Sequence, residues 1–378
     1  MINGHEVYGG SPPFTELSEQ QQSNLVGVVK EIVESQARVE DANTNPGFVV
    51  LSTKPSCELY WKAVTTLVDL EEVLAILKDH HAVYEGYKNK RGLIGATAAV
   101  SWEPGDRTYE SIAYRPPERW GTKRQVDARS VQQMDMKCTG TFDNYDTLYR
   151  HNRLVPASPC PILYGIRGEN PEELRLAVEL VKSEPMESWL LFETNQGTDD
   201  HLMRKSIVQV QSFESVIVQG TVVEPAKTIP GGHVLFRIRD ATGTIDCAAY
   251  EPTKGFRQII RRLSTDDIVE VFGGVREQPL TINLEKIRVI QLASLIRKVE
   301  NPLCPTCGKH MKSKGTNQGF KCRKCKTSST EPVLQHTQRS LTPGMYEVPI
   351  CARRHLSKPL KRMGLPSVVT TIGTGDIP

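Results

Sequence analysis

Four cysteines constrain this chain most. Cys304, Cys307, Cys322 and Cys325 read as CxxC, a 14-residue spacer, then CxxC. Each CxxC knuckle turns two thiolates toward one ion, and two knuckles complete the tetrahedral four-sulfur shell that structural zinc prefers. The spacer GKHMKSKGTNQGFK has room for a short hairpin with Gly315 or Gly319 at its turns. The alternative is a pair of disulfides. Against it, Cys57, Cys138, Cys160, Cys247 and Cys351 are scattered singly and no signal-peptide pattern is read at the start, so a reducing, cytoplasmic setting is expected. The longest apolar runs, such as WLLF at Trp189 to Phe192, are far too short to cross a bilayer.

The segment in front of the cysteines is a series of short strands and turns. VIVQGTVVEP, HVLFRIRDATGTIDCAAYEP and DIVEVFGGVREQPLTINLEKIRVIQL supply about five strands, and GFRQIIRRL inserts one helix before the fourth. That order fits an OB-fold β-barrel over 213–295. Any small β domain would share the pattern, but a zinc ribbon at 300–330 directly behind it favours a nucleic-acid module. Charge points the same way. From residue 301 on there are 13 Lys and Arg against 3 acids, whereas the first 300 residues hold 34 against 41. Five basic residues and no acid lie between Arg353 and Arg362, within a basic C-terminal segment at 331–378. A polyanion partner for this end is one reading; a solvated lysine-rich surface is the other.

At 378 residues the chain should divide into two to four domains. Over 1–205 strands and helices interleave, which argues for an α+β region. A helix is expected from about Ser18 to Val39, with Leu25, Val29, Ile32 and Val33 on one face. GFVVLS at Gly47 to Ser52 reads as a buried strand, and helices are expected around Pro55 to Val68 and Leu70 to His80. RTYESIAYR alternates as a strand that Pro116 and Pro117 end. PILYGIRGENPEELRLAVELV reads as a strand, a turn at Gly165 to Gly168, and a helix capped by Asn170 with Pro171 in its first turn. Trp189 to Glu193 is a further strand.

Four groups of residues carry possible chemistry. In KNKRGLIGA, Lys88, Lys90 and Arg91 precede Gly92 and Gly95, so an anion could meet a helix N-terminus, although glycine-rich helix starts more often mark tight packing than a phosphate cradle. Asp143 and Asp146 in TFDNYD, Arg167 and Glu169 in GIRGE, and Asp199, Asp200 and His201 in TDDH could hold a divalent ion or neutralise phosphoryl charge. Caps and turns are the bland reading of each. The Ser-His-Asp, HExxH and Walker lysine-loop patterns were not found.

Taken together, RGLIGA, IAYR, TFDNYD, PCPILYGIRGE, GGHV, CAAYEPTK, INLEKI, CPTCG and CARRHLSKPL closely resemble, in this order from about Thr44 to Met363, the archaeal tRNA-Ile 2-agmatinylcytidine synthetases. The resemblance implies an ATP-dependent ligase that activates the 2-carbonyl of the wobble cytidine in the CAU-anticodon isoleucine tRNA and installs agmatine there. It implies a kinase-like catalytic domain and a ferredoxin-like domain within 1–205, then the OB domain and the zinc ribbon, with ATP, Mg2+ and structural Zn2+ as cofactors. On this reading Asp143, Asp146, Arg167 and Glu169 are catalytic, while Lys88, Arg91, Gly92 and Gly95 bind the nucleotide. Lys254, Arg257, Arg353, Arg354 and Lys358 bind tRNA.

The resemblance also leads one to expect an N-terminal strand with an IDDTD-type motif, a phosphorylated threonine and a TRGNGA-like segment, none of which is found here. The expectation is therefore an incomplete kinase-like domain and little activity from this chain alone, whether the start is misplaced, the gene is split so that a separate polypeptide carries the rest, or the sequence is a fragment. A noncatalytic tRNA-binding protein, or one half of a split synthetase, is the alternative.

Overall fold

The computed structural model describes residues 5–6, 18–37, 40–315, 318–330 and 333–365. A short strand β1 (His5–Glu6), which the sequence did not announce, pairs with a strand of the second unit described below. Helix α1 (Glu19–Gln36) starts at a capping box: Ser18 Oγ accepts from the Gln21 N–H, and the Gln21 side chain accepts from the Ser18 N–H. Of the expected helix, Ser18 is the cap, and residues 38–39 lie outside the described residues. Its apolar positions are not a buried stripe, since Leu25 and Ile32 are exposed.

The rest of the first unit is β2 (Gly47–Val50), α2 (Glu58–Thr65), α3 (Leu70–Asp79), β3 (Val83–Gly86) and α4 (Gly92–Val100). β2 and β3 form a two-stranded antiparallel sheet, so GFVV is half-buried rather than buried. Leu59, Val73, Leu77, Leu93 and Ala98 make the core, with Val49 packed against it. Gly92 is where α4 touches down on the chain entering β2. A Cβ there would lie 2.3 Å from the Asn45 carbonyl oxygen and 2.9 Å from the Gly47 nitrogen, so only glycine fits.

The second unit comprises β4 (Thr108–Tyr114), α5 (Ala128–Lys137), the pair β5 (Tyr145–Asp146) and β6 (His151–Asn152), β7 (Ile162–Gly168), α6 (Pro171–Leu180) and β8 (Ser188–Thr194). Its sheet is antiparallel in the order β1-β8-β4-β7, with α6 against β4 and β7 and α5 against α6. Asn170 caps α6 as its sequence implies, accepting from the Glu172 and Glu173 N–H groups. The turn expected at Gly165 to Gly168 is instead the second half of β7. Those glycines serve contacts rather than a reversal: a Cβ on Gly165 would lie 2.7 Å from Glu110 Oε1, and one on Gly168 would lie 3.1 Å from Leu174.

After β9 (Leu202–Arg204) comes the barrel, made of β10 (Ser215–Ile229), β11 (His233–Arg239), β12 (Thr244–Ala249), α7 (Phe256–Arg261), β13 (Ile268–Arg276) and β14 (Thr281–Gln291). β10 is long enough to pair with β13 along its first half and β11 along its second, bending through register shifts between Val222 and Lys227. The parallel pairing of β12 with β14 completes the closed, OB-like barrel, and α7 comes before the fourth strand as expected. Val216, Val218, Phe236, Phe256, Val271 and Ile287 are among the buried residues inside.

Two additions to the barrel were not legible. β9 pairs in parallel with β10, and the chain returns after the ribbon to pair β20 (Gly344–Glu347) with β14. Between them β15 (Leu295–Glu300) and β19 (Val333–Thr337) form a two-stranded stalk. It carries a three-stranded knuckle of β16 (Lys312–Ser313), β17 (Phe320–Lys321) and β18 (Ser328–Ser329). Residues 350–363 then cross from the barrel to the second unit as a strap with two short 3-10 turns.

Candidate functional site

The four cysteines converge as their spacing predicts. Their sulfurs all lie within 4.8 Å of one another, and Cys307 Sγ is 3.6 Å from Cys322 Sγ. A tetrahedron with Zn–S bonds of about 2.3 Å has edges of about 3.8 Å, so the cluster has the size zinc requires. Burial opposes the Cys304 thiolate, yet the Thr306 and Cys307 N–H groups and neighbouring thiols hold its pKa down to about 6. Cys325, hydrogen-bonded to Cys307 beside the other sulfurs, is pushed up to about 12. Four thiols this close cannot all ionise without a cation among them, and a dication is the group that fits. Met311 and Phe320 seal the inner side.

A second concentration of charge lies where the strap meets the second unit and the barrel. Arg353 is buried between Asp143, with which it forms a short ion pair, and Glu347, 2.6 Å away. Lys358 Nζ is 2.7 Å from Asp106, and Arg362 bonds Asp106 at 2.8 Å and Glu169 at 2.8 Å. Lys361 Nζ donates to the Thr141 carbonyl at 2.5 Å. Arg354 reaches Glu285 at 2.6 Å while most of its side chain stays in solvent, and His201 Nε2 is 3.0 Å from the other Glu285 oxygen. Burial opposes the Glu285 charge, but His201 and Arg354 hold its pKa down to about 2.

This geometry revises several expectations. Arg353 faces carboxylates, not solvent, and Lys358 is tied to Asp106 with its N–H on Asp199, so these two hold the strap down rather than waiting for phosphates. Arg354 alone of the strap's expected RNA contacts keeps an exposed guanidinium. Asp143 and Asp146, expected to hold metal, are already occupied: Asp143 by Arg353, and Asp146 by the Tyr149 and Cys351 N–H groups at 3.0 Å each. Asp199 binds Lys286, and Asp200 accepts from Tyr60 at 2.6 Å. Arg167 donates through Nε to Glu110 at 3.3 Å and through Nη2 to His355 Nδ1 at 2.7 Å, while Glu169 lies outside, paired with Arg362. The structure thus brings Asp143, Asp146 and Arg167 to one junction but spends their charges internally. Among the described residues the cysteines are the one grouping of three or more His, Cys, Asp or Glu side chains that could hold an ion.

At the start of α4, Lys88 donates to the Asp41 carbonyl, and Arg91 is exposed. The amides of Arg91, Leu93 and Ile94 are bonded to Asn89, Lys90 and Arg91, and Gly92 is pressed against the Asn45–Gly47 backbone. Tight packing, rather than an open anion cradle, describes Gly92; the basic side chains remain available outside it. On the barrel, Lys254 is half-exposed beside Glu251, and Arg257 lies across the Gly231–Gly232 turn, donating to the Gly232 carbonyl. The His233 and Tyr250 rings meet edge-on at 5.1 Å next to it.

Sequence reasoning missed Glu110, Arg153, Lys286 and His355. Each lies within or beside a recognisable block, but only the fold shows which distant partner it meets: Glu110 with Arg167, Lys286 with Asp199, His355 with Arg167, and Arg153 with the Arg353 carbonyl.

Four family models match the chain in order: the TiaS TCKD domain over residues 1–89, the TiaS FLD domain over 90–201, an OB-fold nucleic acid binding domain over 216–290, and the TiaS C-terminal zinc ribbon domain over 301–341. The first of these shows that the kinase-like region, expected to be curtailed, is represented here. The chain is 43% identical over 346 residues to the tRNA(Ile2) 2-agmatinylcytidine synthetase TiaS of Archaeoglobus fulgidus, covering 90% of this chain and 82% of that protein. It is 41% identical to the Methanosarcina mazei protein of the same name over 375 residues, 95% of this chain and 86% of that one. Among solved structures, a TiaS-tRNA(Ile2)-ATP complex superposes with a TM-score of 0.83 at 42% identity, over 92% of this chain and 82% of that chain. A TiaS-tRNA(Ile2)-AMPCPP-agmatine complex gives 0.80 at 40% identity, over 91% and 83%. With all four domains matched in order, this chain belongs to the tRNA(Ile2) 2-agmatinylcytidine synthetase (TiaS) family.

Proposed function

We propose that this chain conjugates agmatine to the wobble cytidine of the CAU-anticodon isoleucine tRNA at the expense of ATP. The observation that carries this reading is the end-to-end match to synthetases of that name, together with the likeness to complexes holding tRNA(Ile2), ATP or its analogue, and agmatine. A noncatalytic tRNA-binding role is not favoured, because the matched region includes both domains that precede the barrel. Phosphorylating the cytidine 2-carbonyl oxygen converts it into a leaving group, and the primary amine of agmatine then displaces it at C2. Such a reaction needs positioning and charge neutralisation more than covalent help from the protein.

In this reading the barrel and ribbon hold the RNA, with Lys254, Arg257 and Arg354 as the cations that meet its phosphates, Arg354 being the most exposed of them. Lys88 and Arg91 are the exposed cations offered to the nucleotide, and Mg2+ accompanies the ATP. Glu110, Arg167 and the strap keep the second unit fixed against the barrel. No described helix is long and apolar enough to cross a membrane, and a cytoplasmic site of action fits a tRNA substrate. The test is mass spectrometry of the wobble nucleoside after incubating the 378-residue chain with transcript tRNA, ATP, magnesium and agmatine. Agmatidine is expected; unmodified cytidine under conditions where a relative is active would overturn the assignment.

A further inference from the structure

Among the described residues, Arg153 is a cation without an ion pair of its own. It follows β6, where its N–H bonds the Asn144 carbonyl at 2.9 Å and its guanidinium is half-buried. Its one side-chain hydrogen bond goes to a carbonyl, that of Arg353, at 3.3 Å, and among the described residues no carboxylate forms an ion pair with it. The nearby acid Asp143 is committed to Arg353. Burial, and then the neighbouring Arg167 guanidinium, push the Arg153 pKa down, with Arg353 adding to them and the Asp143 carboxylate offsetting part of the effect. Nearly every other buried or half-buried cation at this junction has its acid: Arg167 has Glu110, Lys286 has Asp199, Arg353 has Asp143 and Glu347.

His355 adds a donor to the same place. Its Nδ1 lies 2.7 Å from Arg167 Nη2, and because a guanidinium can only donate, Nδ1 is the acceptor and the proton of the neutral ring sits on Nε2. The residue is exposed, and among the described residues Nε2 makes no hydrogen bond. Tyr149 fixes the loop bearing Arg153 against the barrel, its hydroxyl oxygen accepting from the Gly255 N–H at 2.8 Å. The Cys351 thiol feels the charges of both Lys254, on the barrel, and Arg153.

We propose that Arg153 and the His355 Nε2–H, backed by Arg167, form a binding site for a phosphoryl anion at the joint between the second unit and the barrel. The ligand chemistry has two sources in this enzyme, a backbone phosphate of the tRNA or the polyphosphate of ATP. Continuity with Lys254 and Arg257 on the barrel favours the RNA. The inference rests on the tRNA-modifying reading above and names a phosphate contact that reading did not contain. Burying a guanidinium among like charges is unfavourable until an anion arrives, the pattern of a binding group rather than a structural one.

The test replaces Arg153 with Met in the full chain and follows three quantities. Removing a repelled cation should leave the melting temperature unchanged or raised. The slope of log affinity for tRNA against log salt should become shallower by about one, the effect of losing one phosphate contact. Arg153→Lys, which keeps the charge, should recover most of that slope. If instead the KM for ATP rises while the tRNA slope is unchanged, the anion site stands and its occupant is the nucleotide. A lowered melting temperature with both tRNA slope and ATP KM unchanged makes Arg153 a structural group and overturns the proposal. The binding arm needs no turnover, so absence of agmatidine would sink the functional reading without deciding this one.

Discussion

Lys286 Nζ lies 2.6 Å from both carboxylate oxygens of Asp199 and 3.0 Å from the Lys358 carbonyl, with its side chain wholly buried. One ammonium thus ties together barrel strand β14, the loop leaving the second unit, and the strap. Its three donors are all used, which is how a buried lysine stays charged against the cost of desolvation. Truncating it to Met leaves the half-buried Asp199 carboxylate without its counter-ion, held only by the Lys358 N–H. Lys286→Met should cost about 3–5 kcal/mol of stability, and combining it with Asp199→Asn should cost less than the two single changes together. Urea denaturation of the three variants measures this; strict additivity would show that the pair is not coupled.

Acid should loosen the same joint. Partial desolvation of its ring, and then the Arg167 and Arg153 charges, lower the His355 pKa from 6.5 to about 4, so the fold prefers the neutral ring. Its contribution is complete above about pH 6.5 and drains away as pH falls toward 4. Glu285, lowered from 4.5 to about 2, contributes fully above about pH 4.5 and loses that contribution as pH falls toward 2. Both act in one direction, so melting temperature should fall steadily below pH 6.5. Because His355 is exposed, its share is discounted to on the order of 1 kcal/mol. His355→Gln should flatten the curve between pH 6.5 and 4 while leaving the steeper loss below pH 4.5; an unchanged curve would show that another group titrates there.

The ribbon offers a prediction about metal. Freshly purified, reduced chain should carry about one zinc per molecule, and Cys322→Ser should abolish it, because a three-thiolate shell with a weaker fourth ligand cannot hold the knuckle closed. Hydrogen exchange should then rise in β16 to β18, while the β10 to β14 barrel amides stay protected. Removing the whole tail is a poorer experiment, since a chain ending at Leu303 also loses β20 from the barrel and the strap from the second unit. Absence of zinc in the wild-type chain would refute the assignment.

What could be read in the sequence was what is local. The cysteine spacing predicted a converging cluster, Asn170-Pro171 predicted a helix start, and alternating apolar runs gave the barrel strands, because each is a relation among residues a few positions apart. What failed depended on partners more than fifty residues away. TFDNYD looked like free carboxylates until Arg353, 210 positions on, was seen against Asp143. CARRHLSKPLKRM looked like a phosphate-binding run, but most of its charges have acids waiting for them on other units. Gly165 looked like a turn because nothing local reveals that the Glu110 carboxylate, bonded to Arg167 and Gln196, fills the space its side chain would take.

Gly92 allows the two readings of its segment to be separated by experiment. If the glycine exists so that a phosphate can approach the start of α4, Gly92→Ala should raise the KM for ATP in a protein of normal stability. The structure argues for the other outcome. The added methyl would lie 2.3 Å from the Asn45 carbonyl oxygen and 2.9 Å from the Gly47 nitrogen and the Pro46 carbonyl carbon, all backbone atoms that cannot swing aside as a side-chain tip can. Helix α4 would have to lift from the chain entering β2, opening the core around Leu93, at a cost of about 1–3 kcal/mol. Gly92→Ala should therefore lower the melting temperature and leave the ATP KM of the folded fraction unchanged, whereas Arg91→Met, which removes an exposed cation from the same turn without a steric conflict, should do the reverse. Normal stability in the glycine variant with a raised KM would restore the anion-cradle reading.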